Sequence, residues 1–220
     1  MRVAVLCSGR GSNLLALIKA YEAGLLGPAE LRLVLADSAA AGAIEVARTA
    51  GLYAAVVPRT AYHANRDGYE RRLLEVMAPH EIEIVVLAGF KRLIGPVLLE
   101  AFPNRILNIH PALLPAFPGE NAWPKEIKGG VKLAGATVHF VDLGIDSGPI
   151  VVQGAVPVLD DDDPETLAAR ILRVEHQILP QALNWLASGR LAVDNGRVRL
   201  LEGPKDQKGE DFLIWPPLKS

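Results

Sequence analysis

The sequence contains a single cysteine, Cys7, among 220 residues. One thiol excludes an internal disulfide and any zinc site that needs several cysteines, and it is typical of a reducing compartment. Basic residues are not in excess either, because 23 lysines and arginines stand against 25 aspartates and glutamates, a formal net charge of -2. We therefore do not expect nucleic acid as a partner, since binding it requires a positively charged face.

Long apolar runs are also missing from the chain. The first apolar run, RVAVLC, ends at SGRGSN and is too short for the hydrophobic part of a secretory signal. No run approaches the roughly 18 residues of a membrane span. Since 50% of the residues are hydrophobic, the chain has ample material for a core. We expect a soluble, cytoplasmic protein without membrane contacts.

The chain does contain an alternation of short apolar runs and longer helical patterns. The runs are RVAVLC, LRLVLAD, IEIVVLAG and RILNIH, and the helical patterns are NLLALIKAYEAGLL, AGAIEVARTAG and YERRLLEVMAPH. Near-continuous apolar runs are typical of strands buried on both faces of a parallel sheet. Their alternation with helices favours an α/β fold with right-handed crossovers. We predict a mostly parallel, twisted sheet.

The pattern changes after residue 130. AGATVHFVD and PIVVQGAVPV, joined by LGIDSG, predict antiparallel C-terminal strands. The segment 160–189 predicts a long helix that Pro180 can bend, and LAVDNGRVRLL predicts a hairpin around Asn195 and Gly196. We expect one domain over residues 1–200 and a Pro/Lys-rich tail over 201–220.

A glycine-rich turn, CSGRGSNL, follows the first strand. Gly9 and Gly11 permit positive φ, and Ser12 and Asn13 are common helix N-caps. Such a turn offers free N–H groups that suit phosphate, although an ordinary tight turn explains the segment equally well. Leu14 stands where a dinucleotide-binding turn has a third glycine, and no Gly-Lys-Ser/Thr follows. A mononucleotide-sized phosphate therefore fits better than NAD.

A polar pair, Asn108 and His110, ends the fourth strand. Residues two apart on a strand point to the same face, and ligands bind at the carboxyl ends of strands in open α/β sheets. Pro111, Pro115 and Pro118 predict a stiff loop after the strand rather than a helix. An amide beside an imidazole can stabilise an oxyanion, but the same two residues can instead serve only to bond buried backbone groups.

The segment DLGIDSGPI supplies two carboxylates. Gly144 and Gly148 predict a tight loop that holds Asp142 and Asp146. A carboxylate beside an imidazole orients the ring and favours its protonated form. The sequence does not place either aspartate next to the imidazole, and by residue statistics alone both are more simply explained as turn residues.

Taken together, these segments resemble the glycinamide ribonucleotide formyltransferases, a folate-dependent family of purine synthesis. The resemblance rests on SGRGSNL, VVLAGFKRLI, NIHPALLPAFPG, ATVHFVDLGIDSGPIV and EHQILP, in this order, and covers residues 1 to 190. It implies a Rossmann-like formyltransferase fold and formyl transfer from N10-formyltetrahydrofolate, as co-substrate, to the amine of glycinamide ribonucleotide. It also implies small-molecule substrates, no metal, and a monomer or homodimer.

The resemblance further implies roles for individual residues. Asn108, His110 and Asp146 correspond to the catalytic positions. The ribonucleotide positions are Gly11, Ser12, Asn13, Arg173 and Glu175. The folate positions are Arg66, Lys91, Arg92, Leu93, Ile94, Asn108, Asp142, Leu143, Gly144, Ile145 and Asp146. Residues 1–100 would form the ribonucleotide-phosphate half and residues 101–200 the folate and catalytic half.

The chain departs from this family at two places. After PAFPG the family usually carries a Gly-x-His-x-His pattern, whereas Asn121 and Trp123 occupy the histidine positions here. Lys91 stands where a hydrophobic residue is common. These departures leave the three catalytic positions intact and concern the contacts of the substrate loops.

Other activities stay open from the sequence. Formyltetrahydrofolate hydrolases use water in place of the amine, but they usually carry an additional N-terminal domain, which we do not expect before Met1. Formyl transfer to methionyl-tRNA needs a basic C-terminal module that this composition does not suggest. A non-catalytic nucleotide-binding module would not explain the Asn-His-Asp set, and a dinucleotide-dependent oxidoreductase would need the third glycine.

Overall fold

The computed structural model describes residues 1–62 and 65–201 of the chain. The strands are β1 (Arg2–Cys7), β2 (Glu30–Ala36), β3 (Tyr53–Val56), β4 (Ile84–Leu87), β5 (Ile106–His110), β6 (Leu133–Phe140), β7 (Ile150–Pro157), β8 (Leu191–Asp194) and β9 (Arg197–Leu200). The helices are α1 (Ser12–Glu22), α2 (Gly42–Thr49), α3 (Arg66–Met77), α4 (Pro96–Ala101), α5 (Ala122–Gly129) and α6 (Pro164–Ala187), with 3₁₀ turns at Arg59–Tyr62 and Ala78–His80. The tail predicted for 201–220 lies outside the described residues, apart from its first residue.

Seven of the strands form one sheet, in the order β3-β2-β1-β4-β5-β6-β7. The pairs from β3 through β5 are parallel, whereas β6 is antiparallel to both β5 and β7. This confirms the predicted α/β sheet, mostly parallel with antiparallel C-terminal strands. The predicted hairpin is also present: β8 pairs with β9 across Asn195 (φ 47°) and Gly196 (φ 72°).

Both faces of the sheet are buried, as the continuous apolar runs predict. Along β1, Val3 and Val5 belong to one core, whereas Ala4 and Leu6 belong to the other. The first core includes side chains of α1 and α6, and the second includes side chains of α3 and α4. Burying each leucine of this kind stabilises the fold by about 1.5–3 kcal/mol before entropic costs.

Three elements were not predicted. Strand β3 reads YAAV and is only half-buried, so it lacks the β-branched, apolar pattern of the other strands. Helix α4 has six residues and starts at a Gly-Pro pair, and helix α5 contains Pro124. Helix α3 begins three residues before the predicted pattern, because the side chain of Asn65 accepts a hydrogen bond from the Gly68 N–H at 2.8 Å.

The long C-terminal helix is continuous from Pro164 through Pro180 to Ala187. The side chain of Asp163 accepts a hydrogen bond from the Thr166 N–H at 2.8 Å, and the Thr166 hydroxyl accepts one from the Asp163 N–H, so the two form a capping box. None of the helices in the described part of the chain is both long and apolar enough to span a bilayer.

Candidate active site

The sheet has a switch point between β1 and β4. Strand β1 pairs with β2 on one side and with β4 on the other, so the chain builds the sheet outward in both directions from this position. The two loops that follow these strands touch here, because the Ser8 N–H donates to the Gly89 carbonyl at 3.2 Å. Ligands of open α/β sheets bind at such a point.

Asn108 and His110 lie two residues apart on β5, with Asn108 half-buried and His110 5% exposed. In the sheet, Asn108 pairs with Leu87 of β4 and with His139 of β6. As predicted, the loop that follows contains no helix or strand from Pro111 to Asn121. The strand therefore carries the amide and the imidazole on one face, beside the end of β4.

Asp146 reaches these side chains from the loop between β6 and β7. Strand β6 ends at Phe140, which pairs with Leu107, so the loop folds back along β5 to bring Asp146 to His110. The carboxylate Oδ2 lies 3.2 Å from His110 Nδ1 and accepts from the Gly119 N–H at 2.8 Å. Its Oδ1 accepts from Asn108 Nδ2 at 3.3 Å. The contact that the sequence left open is thus present in the fold.

The two aspartates of this loop have different roles. The Oδ1 of Asp142 accepts hydrogen bonds from the Gly144 N–H at 3.0 Å and from the Ser147 hydroxyl at 2.8 Å, so its carboxylate shapes the loop itself. Gly148 is required for the same bend, because a Cβ there would overlap the Phe140 carbonyl. The turn interpretation is correct for Asp142, whereas Asp146 is directed at the Asn-His pair.

Hydrogen bonds and neighbouring positive charges favour the ionised form of the Asp146 carboxyl. Burial raises the pKa of Asp146, but hydrogen bonds from His139 and Gly119, together with the positive charges of His110 and His139, outweigh burial and hold the pKa below its ordinary value. The ring of His110 meets an acceptor on each side, since its Nε2 lies 2.9 Å from the Phe117 carbonyl. A doubly protonated ring donates to both acceptors, so the geometry suits an imidazolium.

His139 is a fourth member of the cluster, which sequence reasoning did not assign to the site. It is 2% exposed, its Nδ1 lies 2.8 Å from the Phe140 carbonyl, and its Nε2 lies 3.0 Å from Asn108 Nδ2 and 3.6 Å from Asp146 Oδ1. The feature that places His139 in the site is the cross-strand register, in which His139 is directly opposite Asn108. Register is not readable from either strand alone.

The glycine-rich turn forms the start of α1. The predicted caps are wrong, because Gly11 (φ 85°) is the N-cap and Ser12 and Asn13 are the first helical residues. A Cβ on Gly11 would lie 2.8 Å from the Ala43 Cα, so only glycine allows this close approach to α2. No side chain in the described part of the chain caps α1, and its first N–H groups are available to a ligand.

Asn13 and Glu175 form a buried pair between α1 and α6. The Nδ2 of Asn13 donates to Glu175 Oε2 at 2.6 Å, and the Asn13 Oδ1 is buried without a partner among the described residues. Burial raises the pKa of Glu175, and the hydrogen bond from Asn13 offsets this only in part. Arg173 is exposed on another side of α6, so its predicted role in ribonucleotide binding stays a prediction.

The predicted folate positions lie on two loops, at the start of α3 and, for Asn108, on β5. Three of them expose apolar side chains: Leu93 (53%), Leu143 (69%) and Ile145 (55%). Ile94 is instead 5% exposed, and its side chain packs in the second core, which attaches the 91–94 loop to the body of the fold. The Lys91 N–H donates to Ser8 Oγ at 3.0 Å, the Arg92 guanidinium lies 4.2 Å from the Tyr69 ring centroid, and Arg66 is the first residue of α3.

The two positions that depart from the family pattern lie at the start of α5. Asn121 is its exposed N-cap with φ 60°, a conformation that asparagine tolerates. Trp123 packs against the first core, and its Nε1 has no partner among the described residues. Within the described residues, the hydrogen bonds and ion pairs of the cluster around Asp146 do not involve either side chain.

The single thiol is a core residue. Burial, with a smaller effect from Asp37, raises the pKa of Cys7 to about 12, so the side chain stays protonated. Across residues 1–62 and 65–201, no group of three or more histidine, cysteine, aspartate or glutamate side chains is placed to hold a metal ion.

Solved structures and known proteins resemble this chain closely. Glycinamide ribonucleotide transformylase 1 from Symbiobacterium toebii superimposes with a TM-score of 0.89 and 46% identity, covering 92% of this chain and 94% of that one. A formyltetrahydrofolate deformylase from Pseudomonas syringae shares the fold, with a TM-score of 0.84 at 23% identity.

Sequence relatives give the same result. Phosphoribosylglycinamide formyltransferase of Escherichia coli is 37% identical over 191 residues, covering 87% of this chain and 89% of that protein. The same enzyme of Mycobacterium tuberculosis is 44% identical over 192 residues, covering 87% of each.

Some relatives are far longer than this chain. Trifunctional purine biosynthetic protein adenosine-3 of Drosophila pseudoobscura is 41% identical over 210 residues, but the match spans 94% of this chain and only 15% of that protein. The formyl transferase family model itself matches residues 1–183. The chain belongs to the formyl transferase family, and within it to the phosphoribosylglycinamide formyltransferases.

Proposed function

We propose that the protein transfers the formyl group of N10-formyltetrahydrofolate to the primary amine of glycinamide ribonucleotide, a step of purine synthesis. The observation that carries this proposal is the contact between His110 Nδ1 and Asp146 Oδ2 at 3.2 Å, beside the amide of Asn108. An amide and a cationic imidazole on one strand face form an oxyanion site, which acyl transfer requires. Membership in the family supports the reaction class.

The ribonucleotide would bind at the start of α1. Its phosphate would accept hydrogen bonds from the uncapped N–H groups of Ser12 and Asn13, which follow the Gly11 turn. The orphaned Oδ1 of Asn13 and the carboxylate of Glu175 are acceptors for hydroxyl or amide hydrogens. These groups match a sugar phosphate that carries both anionic and hydroxyl groups.

Formyl-folate would bind along the loops at 91–94 and 142–146. The exposed side chains of Leu93, Leu143 and Ile145 provide an apolar surface for an aromatic ligand. Arg66 and Lys91 supply positive charge at the predicted positions, which suits the carboxylates of a folate. The folate is a co-substrate in this proposal, and the residues of the protein supply the remaining chemistry.

The reaction would proceed by direct attack. The amine forms a bond to the formyl carbon, the carbon–N10 bond breaks, and one proton passes from the amine to N10. The oxyanion of the tetrahedral intermediate would accept from Asn108 and His110, and each such donor is worth about 2.7–4 kcal/mol in the transition state. His110 Nδ1 stays with Asp146, while Nε2 exchanges the Phe117 carbonyl for the oxyanion.

Asp146 would keep His110 charged and oriented throughout. Its carboxylate contacts both His110 and Asn108 and can also relay the proton, directly or through water. The proposal needs no metal, because the imidazolium supplies the positive charge at the oxyanion. We further propose that the enzyme is cytoplasmic, acts on small molecules only, and is a monomer or homodimer.

The proposal is tested by following the absorbance of the folate product with and without glycinamide ribonucleotide. We expect turnover only when both substrates are present. Turnover without the ribonucleotide would instead identify a formyltetrahydrofolate hydrolase. No turnover in either case, with ribonucleotide binding retained, would identify a non-catalytic binding module.

A further inference from the structure

The segment from Phe90 to Gly95 has no regular secondary structure, although it holds four of the predicted folate positions. Its shape depends on contacts from elsewhere in the chain. At one end, the Lys91 N–H donates to Ser8 Oγ at 3.0 Å. At the other end, the Gly95 N–H donates to Glu70 Oε1, and three residues on the Leu98 N–H donates to Glu70 Oε2 at 2.9 Å.

Glu70 is a buried carboxylate at 1% exposure, on the inner face of α3. Its two oxygens are divided between two N–H groups at the start of α4, where no side chain of α4 itself provides a cap. Pro96, the first residue of that helix, has no N–H group to donate. The two donors to Glu70 are therefore the N-cap residue Gly95 and Leu98 in the first turn. Water does not reach this carboxylate, and loss of the acceptors would leave buried donors unpaired.

The neighbours of Glu70 on α3 hold the same segment. Tyr69 is buried, and its ring stacks on Phe90 at a centroid distance of 6.5 Å. The Arg92 guanidinium lies over the same ring, 4.2 Å from its centroid. A Cβ on Gly95 would lie 2.6 Å from the Arg66 Cδ and 3.0 Å from Glu70 Oε1. One face of α3 therefore fixes the backbone from Phe90 to Gly95.

We infer that Glu70 is a positioning residue for folate: by bonding Gly95 and Leu98 it holds the 90–95 segment in the shape that binds the co-substrate. The inference rests on the proposed function, which assigns Lys91 to Ile94 to folate. The hydrogen bonds that Glu70 accepts come from Gly95 and Leu98, away from the Asp146 cluster and the Asn13–Glu175 pair, so Glu70 would act on folate alone. This selectivity separates positioning from a general contribution to stability.

The test is the Glu70→Gln variant, in which an amide NH₂ replaces one acceptor oxygen and faces an N–H group. We expect KM for formyl-folate to rise about tenfold, which corresponds to about 1.4 kcal/mol. We expect KM for glycinamide ribonucleotide to stay within about twofold of the parent value. Isothermal titration with tetrahydrofolate, the product, should show the same loss of affinity without turnover.

The matched control is Glu75→Gln on the same helix. Glu75 is exposed and pairs with Arg72 at 2.8 Å, so the same chemical change should leave both KM values unaltered. If Glu70→Gln fails to fold, Glu70→Asp provides the second test, because a carboxylate one methylene shorter cannot bond the Gly95 and Leu98 N–H groups together and should raise the folate KM selectively.

Two outcomes would overturn the inference. Equal increases in both KM values would show that the substitution disturbs the whole site. A lower melting temperature with both KM values unchanged would restrict Glu70 to stability. Neither outcome bears on the proposed function, which is tested separately with the parent enzyme. That function fails only if the parent enzyme shows no folate-dependent formyl transfer.

Discussion

The Asp146 cluster and the Asn13–Glu175 pair share the same chemistry, a carboxylate beside an asparagine amide, yet the pKa values of the two carboxylates shift in opposite directions. Burial raises the pKa in both places. At Asp146, hydrogen bonds from His139 and Gly119 and the charges of the two neighbouring imidazoles outweigh burial. Glu175 receives one from Asn13, which does not.

The difference shows what each region is prepared for. The Asp146 cluster is saturated with donors and keeps a negative charge before any substrate arrives, so the imidazole beside it is oriented in advance. The Asn13–Glu175 pair is incomplete, since the Asn13 Oδ1 has no partner among the described residues. A ligand that brings hydroxyl or amide hydrogens would complete it.

The largest expected effect comes from removing the charge in the saturated cluster. Asp146→Asn should lower kcat by about 10²–10³-fold, because the imidazole of His110 loses the carboxylate that lies 3.2 Å from its Nδ1 and orients the ring. Ribonucleotide binding, measured by isothermal titration, should change by less than about threefold. A kcat within a few-fold of the parent would show that the contact between the two side chains has no catalytic role.

The buried carboxylate of Glu126 extends the comparison to a site with fewer donors. Glu126 on α5 is 1% exposed, its Oε2 has no partner among the described residues, and burial raises its pKa to about 7. A raised pKa in the folded protein means that stability falls as pH rises from the unfolded value near 4.3 toward 7. Glu126→Gln should therefore stabilise the fold at pH 8 by up to about 3 kcal/mol.

Urea denaturation at several pH values checks this prediction. The gain should shrink as pH falls and be lost near pH 4, where the parent carboxyl is protonated in both states. Glu120→Gln, at an exposed position in the same region, is the control and should show no pH-dependent difference. A stability gain that does not depend on pH would point to packing rather than charge.

Replacing a carboxylate by the matching amide at Asp146 and at Glu175 should change the stability of the fold with opposite pH dependence. Because the pKa of Asp146 is lowered, its ionised form stabilises the fold above the unfolded pKa, and this is lost as pH falls through the folded value. Asp146→Asn should thus cost about 1–3 kcal/mol at pH 7 and progressively less at acidic pH.

Glu175 should behave in the reverse manner. Its raised pKa means that ionisation opposes folding as pH rises, so Glu175→Gln should become relatively more stable toward alkaline pH. Thermal denaturation of both variants across the pH range measures the two trends. Parallel trends would contradict the assignment of opposite shifts.

The smallest effect is expected at the phosphate turn. Gly11→Ala should raise KM for ribonucleotide about tenfold, while KM for folate changes little, because the new Cβ would lie 2.8 Å from the Ala43 Cα and shift the turn. Gly24→Ala is the matched control, since Gly24 also has positive φ (71°) but open space around it. A larger effect on folate than on ribonucleotide would reverse the assignment of the two subsites.

The contrast between these regions also explains what the sequence could predict. Strands β1, β2, β4 and β5 followed from continuous apolar runs, whereas β3 did not. The shared face of Asn108 and His110 followed from the two-residue period of a strand. Asp146 required the resemblance to a family, because its loop composition equally suits a turn, as Asp142 demonstrates.

Contacts between distant segments could not be read from local patterns. The hydrogen bond of Asn13 to Glu175 joins residues 162 apart, and that of Asn108 to His139 joins residues 31 apart. Glu70 reads as an ordinary charged residue of an amphipathic helix, and only the crossing of α3 and α4 shows that it is buried. These contacts depend on register and packing, which single segments do not encode.

The most direct test of the account is the His110→Ala variant, with single-turnover formyl transfer and ribonucleotide binding measured on the same preparation. The account predicts that transfer slows by at least about 100-fold, while the ribonucleotide Kd stays within about threefold of the parent. His80→Ala, at a ring packed against Tyr53 away from the cluster, is the control. Proportional loss of transfer and of binding would assign His110 to structure and contradict the account.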